Sequence, residues 1–558
     1  MKILGRRIAL GVAAATTGIF VFVAAGAAFA PHGLHLTNVP TPNTRSDGVA
    51  PAAKLSPELQ QIVWAQGSTK LENPSTLTSY YGYDNDTLNA AGLPKMVPTS
   101  ALPNPNMEAH KTEPDKNTYL VFKHGLGGPD SSYDYGTHFL FQGHEGGPAD
   151  PASGPGNLSY ITRINLDADA AHRVTLYPTT ASNGKPLITI DGSTWDPWAK
   201  KLLFTTENQN GPTYAADASW PSTIDDVSGS IGRGGYEGIQ NDSDGNLWID
   251  EDIGSPTNKP APAVSAKFPN SFVFRFVPKS PSDLTHGKLE ALQVLNDSKQ
   301  PITFASQSPH RSPDQIALHT YGKVFKTNWV TVHDTAVDGT TSFNANLAAK
   351  AANATPFKRP ENGLFRPGSH FREYYFDETG DTNAASTEND CCGGWGSAFK
   401  ITQSDPSADS GHLTIFYKAD AAHAAFDNIA FLSDDQVTFV QDQGEGLHGV
   451  EGFDSGFVFD VNKDYSDSAN QPVRWLAQGR DPSATLDAAN GGFGKNDQDN
   501  EITGTTVSNG DPRPGGILGA KIPHLFKDGW RFFYTQQHGD NPTYEVIPSS
   551  RTHGEPDD

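Results

Sequence analysis

Tyr236–Asp252 reads YEGIQNDSDGNLWIDED: a leading acid (Glu237), a short run, an Asp-Gly turn at 244–245, an aromatic-containing run, and trailing acids. Two runs of that length joined by that turn predict a β-hairpin. The layout returns in IDGSTWDPWAKKLLFTTEN (190–208), PENGLFRPGSHFREYYFDETGD (360–381) and FDNIAFLSDDQVTFVQDQ (426–443). The leading residues Asp191, Glu237, Glu361 and Asp427 precede the trailing acids Glu207, Glu251, Glu378 and Asp442 by 16, 14, 17 and 15 residues. Antiparallel units that cannot bury their faces alone, repeated along a chain, predict an all-β propeller. Six blades with loop and short helical insertions are expected. The first strand of each blade lines the central channel, so acids distant in sequence converge on the axis. Crowded carboxylates repel one another and are costly to bury unpaired. Calcium, which takes about six to eight oxygen ligands, relieves that repulsion.

Composition agrees. With Gly 55 and Pro 41 in 558 residues, turns outnumber sustained helical periodicity. The formal net charge of -23 argues against a nucleic-acid partner and suits a site that gathers cations. Residues 1–30 combine Lys2, Arg6 and Arg7 with an uncharged stretch from Ile8 and small-residue cleavage sites at Ala25–Ala28. This predicts an export leader, with a retained anchor as the alternative, and a periplasmic or secreted chain. A Pro-rich tether (31–57), an N-terminal extension packed on the propeller (58–118), the propeller itself (119–548) and a polar tail (549–558) follow. Asp338–Ala354 reads as a helical insertion and Ala484–Gly516 as a long loop. The two cysteines, Cys391 and Cys392, are adjacent and exclude a disulfide framework. A vicinal disulfide, an interchain link or a loop feature without catalytic duty remain open for them. Asp242-Ser-Asp244-Gly245 places its glycine out of register for an EF-hand and reads as a hairpin turn. Asp497, Asp499 and Glu501 read as a solvated loop able to hold a peripheral calcium. No G-x-S-x-G elbow or Walker A loop occurs.

The ordered set GHE (143–145), DGSTWDPWAKKLLFTTEN (191–208), YEG (236–238), NSFVFRFVP (270–278), NWVTVHDT (328–335), RPENG (359–363), FDNIAF (426–431) and FYTQQHGD (533–540) resembles the PhoX-type alkaline phosphatases. These are exported bacterial propeller phosphatases with a calcium–iron centre. The resemblance implies metal-ligand roles for Glu207, Glu237, Glu361, Asp427, Asn428 and Asp442. Asp191 stands where that family has an iron-ligating cysteine, so calcium, with or without Fe3+, is the expected cofactor. The expected activity is hydrolysis of small phosphate monoesters by a monomer, with no membrane contact beyond the leader. Residue type and motif placement nominate Arg311 or Arg359 to orient the phosphate, and His144 or His538 to handle the leaving-group proton. A calcium-dependent lactonase or phosphotriesterase, and a non-catalytic calcium-binding propeller, are the alternatives.

Overall fold

The computed structural model describes residues 33–43, 52–75, 78–82, 97–98, 106–107, 112–146, 149–150, 154–254, 266–304, 310–443, 447, 452–479, 501–537 and 541–549. The leader, most of the tail, Asp497, Asp499 and His538 lie outside them. Among the described residues no helix is long and apolar enough to cross a membrane.

Six strands, Pro114–Val121, Ile190–Asp196, Tyr236–Asn241, Gly363–Phe365, Phe426–Phe431 and Ile502–Ser508, neighbour one another in cyclic order around an axis. Each begins an antiparallel sheet whose later strands run outward, which is the arrangement of a β-propeller. The Tyr236 and Gly363 sheets are fused at the rim, where Phe325–Asp334 pairs with Ser410–Lys418. Apolar side chains fill the wedges between sheets. Leu203, Ile239 and Phe274 fill one, and Trp248, Phe365, Phe376 and Phe399 the next. Because both faces of a sheet are covered, its strands are buried along their whole length and lose the simple inside–outside alternation.

The ring closes through the N-terminal chain. Lys54–Leu55 pairs with the outer strand Val473–Ala477, and Leu59–Ala65 pairs with Thr543–Pro548. The expected tether is therefore docked: Val39 donates its N–H to the Arg474 carbonyl at 2.8 Å. Within the expected extension, Leu59–Ala65 and Pro114–Val121 are strands of two propeller sheets, and the boundary at 119 falls inside an inner strand. The Pro-, Asn- and Gln-rich composition of tether and extension hides pairing partners more than 400 residues away. The long loop expected over Ala484–Gly516 also needs correction, because ITGTTVS at 502–508 is an inner strand. Its three threonines and one glycine leave it without an apolar run to announce it. Helix Ala345–Ala351, capped by the Asn344 side chain, occupies the expected insertion. Cys391 and Cys392 form a vicinal disulfide.

Candidate metal centre

One irregularity, repeated, aims the acids at the axis. In five inner strands the pairing advances three residues while the second strand advances two. The shifts fall between Pro114 and Asn117, Ile190 and Ser193, Tyr236 and Ile239, Phe426 and Ile429, and Thr503 and Thr506. That is a β-bulge, which bends the strand and redirects a side chain. The extra pair is Asp115-Lys116, Asp191-Gly192, Glu237-Gly238, Asp427-Asn428 and Gly504-Thr505. In the remaining strand Glu361-Asn362 stands just ahead of the first paired residue, Gly363. Two of the glycines are obligatory by space. A Cβ on Gly192 would lie 1.6 Å from the Glu237 carbonyl oxygen, and one on Gly238 would lie 2.8 Å from that of Glu361.

The second strands deliver the other half of the ring. His144, Thr206, Glu251, Gln441 and Gln536 pair opposite the residue just before a bulge or at its edge. The next residue in each, namely Glu145, Glu207, Asp252, Asp442 or Gln537, points the other way, toward the axis. Together these residues enclose a cavity of about 210 Å³ lined by Glu113, Glu145, Asp191, Glu207, Glu237, Glu361, Asp427, Asp442, Glu501, Gln537 and Arg359. Among the described residues, nine carboxylates thus face one guanidinium. Oxygens of Asp115, Glu145 and Asp191 lie within 4.8 Å of one another, as do those of Glu237, Asp252 and Glu361.

Several carboxylates are in hydrogen-bond reach of each other: Asp115 with Asp191, Glu145 with Glu207, and Glu237 with both Glu361 and Asp427. Two carboxylates so placed must share a proton or a cation. Burial, followed by these neighbours, pushes Asp191, Glu207, Glu237, Glu361 and Glu501 well above the ordinary range. Asp115 rises to about 6, Asp427 to about 7 and Glu145 to about 8, with burial the largest cause in each. Asp191 Oδ1, Asp427 Oδ2 and Gln537 Oε1 are buried and accept no hydrogen bond. Oxygen donors alone, crowded and partly unsatisfied, fit a hard cation; no cysteine or histidine lines the cavity among the described residues.

Arg359 is the counter-charge. Its Nε lies 2.9 Å and 3.0 Å from the two Asp252 oxygens, and its Nη2 lies 3.1 Å from Glu361 and 4.0 Å from Asp442. Asp191, Glu207, Glu237, Glu361, Asp427 and Asp442 all line the cavity as the sequence suggested. Asn428 does not; its side-chain oxygen accepts from Lys116 Nζ at 2.9 Å. The trailing acids Glu251 and Glu378 also turn away. Glu251 accepts from Phe272 N and Asn346 Nδ2, and Glu378 accepts from Lys358 N at 2.8 Å and meets His319 Nε2 at 2.9 Å. Glu501, expected at the periphery, lines the cavity.

His144 is on the wrong side of its strand for a proton donor. Its ring stacks on Tyr160, and its nitrogens meet the Thr112 and Thr162 hydroxyls at 3.1 Å and 2.8 Å. Burial lowers its pKa to about 3. Arg311 lies at the surface, 2.7 Å from Asp390, and is not part of the cavity lining. Glu113, Asp115, Glu145, Asp252 and Gln537 were not singled out as ligands. A leading acid near the start of the inner strand recurs in five of the six, and following that recurrence back to Pro114–Val121 would have revealed Asp115.

No family model and no curated protein matches the chain. Among solved structures, Pseudomonas fluorescens PhoX in complex with vanadate, a transition state analogue, aligns over 92% of this chain and 98% of its own, with a TM-score of 0.53 and 10% identity. That likeness shows a shared propeller fold. A gluconolactonase from Xanthomonas campestris aligns over 84% of this chain and 98% of its own, at TM-score 0.31 and 9% identity. A fungal alcohol oxidase of the AA5 family in complex with copper covers 79% and 78%, at 0.32 and 8%.

Proposed function

We propose that this chain is an exported, metal-dependent hydrolase of small phosphate monoesters, working at the axial carboxylate ring with calcium as its principal cation. The observation that carries the reading is the set of contacting, buried carboxylates around one open cavity, with the Arg359 guanidinium among the described residues of its wall. Such a set would hold hard cations with Glu145, Asp191 and Glu207 on one side and Glu237, Glu361 and Asp427 on the other. Bound cations supply Lewis-acid polarisation of a phosphoryl oxygen and a lowered pKa for water. Arg359, whose Nε and Nη2 are held by Asp252 and Glu361, would meet a phosphate oxyanion through its remaining N–H groups. The fold shared with PhoX, a protein seen with vanadate, supports the reading.

A second reading, hydrolysis of a neutral ester such as a lactone or phosphotriester, is favoured by the same lining: among the described residues one cation stands among nine acids, which is sparse for a dianion. The deciding assay is turnover of p-nitrophenyl phosphate by the purified full chain before and after chelation. Turnover that is lost with chelator and restored by calcium is expected. Absence of turnover in the calcium-loaded protein, with hydrolysis of a lactone or paraoxon-type triester instead, would move the assignment to the second reading.

A further inference from the structure

Two hydrogen bonds away from the ring carboxylates Glu237 and Asp427 lies a buried ammonium that the ring itself does not explain. Lys116 is the second residue of the first bulge, next to Asp115. It does not line the cavity. Its Nζ donates to two asparagine oxygens, Asn362 Oδ1 at 3.0 Å and Asn428 Oδ1 at 2.9 Å. Those asparagines hold the matching seats in two other sheets, each immediately after a leading acid. Their amide nitrogens then face the cavity: Asn362 Nδ2 donates to Glu237 Oε1 at 2.9 Å, and Asn428 Nδ2 to Asp427 Oδ1 at 2.9 Å.

An asparagine can present either its oxygen or its nitrogen to a neighbour. An ammonium has donors only, so it takes the oxygen of both amides and leaves each N–H2 for a carboxylate. We propose that Lys116 is a positioning residue for the cation site, fixing Glu237 and Asp427 through Asn362 and Asn428 so that one oxygen of each is tied and the other is free for the cation. The state of Asp427 fits, since its Oδ1 is held and its Oδ2 accepts no hydrogen bond. The matching seats in the Asp191 and Glu237 strands are Gly192 and Gly238, which have no side chain to do the same. The relay therefore serves the half of the ring built on Glu237, Glu361 and Asp427. This inference rests on the cation-binding reading above.

The test is calcium titration by calorimetry on the full chain after chelation and dialysis, for wild type, Lys116→Met, Asn428→Ala and the double variant. Partners that orient a ligand from behind typically alter metal affinity about 10- to 100-fold. Asn428→Ala, which changes no charge, should weaken calcium binding by that range; Lys116→Met also removes a positive charge near Glu237 and Asp427, which favours a cation, so its loss should lie toward the tenfold end. The double variant should be no more than about threefold worse than the weaker single, because both changes cut one relay. If Lys116→Met does not fold, Asn362→Ala and Asn428→Ala, each made alone, carry the same expected loss. Wild-type affinity in the variants, or losses that multiply in the double, would overturn the relay while leaving the cation site standing. A wild-type chain that takes up no calcium would overturn both.

Discussion

Chelating the purified protein lowers its melting temperature by on the order of 10 °C at pH 8 and by much less at pH 5. A ligand present at about a thousand times its Kd adds about 4 kcal/mol to the folded state, and the ring has room for more than one cation. The pH dependence follows from the raised carboxyl groups. A folded-state pKa above the unfolded value means that the fold binds protons more tightly than the open chain. Stability of the cation-free fold therefore falls as pH rises through that window. Asp115 at about 6, Asp427 at about 7 and Glu145 at about 8 set it between roughly pH 4 and pH 8. Cations replace those protons, so the loaded protein keeps its stability where the chelated one loses it. At pH 5 the carboxyls are largely protonated, calcium competes poorly, and the two melting curves approach each other. Coincident curves at pH 8, or a chelated protein that gains stability from pH 5 to pH 8, would show that the ring is balanced without a cation.

Replacing Arg359 by Met reduces kcat/KM for p-nitrophenyl phosphate about 100- to 1,000-fold, the usual loss for one charged donor aimed at developing negative charge. Arg359 also has a structural partner, since it pairs with Asp252 at 2.8 Å and Glu361 at 3.1 Å. Its removal frees both carboxylates and makes the cavity more negative, so calcium affinity should hold or rise. That combination, tighter cation binding with poorer phosphate turnover, separates an oxyanion-binding role from mere assembly of the ring. A neutral lactone or triester should lose less than about tenfold, because no dianion has to be held. Equal losses on charged and neutral substrates would instead make Arg359 an organiser of Asp252 and Glu361.

The hairpin repeat was legible because a tight turn and aromatic strands have local signatures, and the propeller class followed from it. The leading acids Asp191, Glu237, Glu361 and Asp427 were legible for the same reason. What the sequence could not deliver was register. A strand's side chains alternate, so a slip of one residue exchanges axis for core. The run Asp250-Glu251-Asp252 offers three acids in a row, and only the bulge at Glu237-Gly238 decides that Asp252 reaches the axial acids while Glu251 is buried against Asn346. The same slip separates His144 from Glu145. At Glu378 the axial position passes to Thr379, whose hydroxyl donates to Glu361. Glu501 was placed at the periphery and the strand after it missed because a threonine-rich inner strand has no apolar period, and the closing strands because their partners are at the opposite end of the chain. Arg311 and Arg359 are indistinguishable by type; one is spent on the surface carboxylate Asp390 and the other on the ring.

The most direct measurement is the metal content of the protein purified without chelator, set beside that of a Glu237→Gln, Asp427→Asn double variant that melts as a folded chain. The account predicts at least one calcium per wild-type chain, accompanied or not by iron, and its loss or sharp reduction in the variant. A folded wild-type protein with no bound cation, or a variant that retains the full complement, would contradict the assignment of the axial carboxylates as a metal centre.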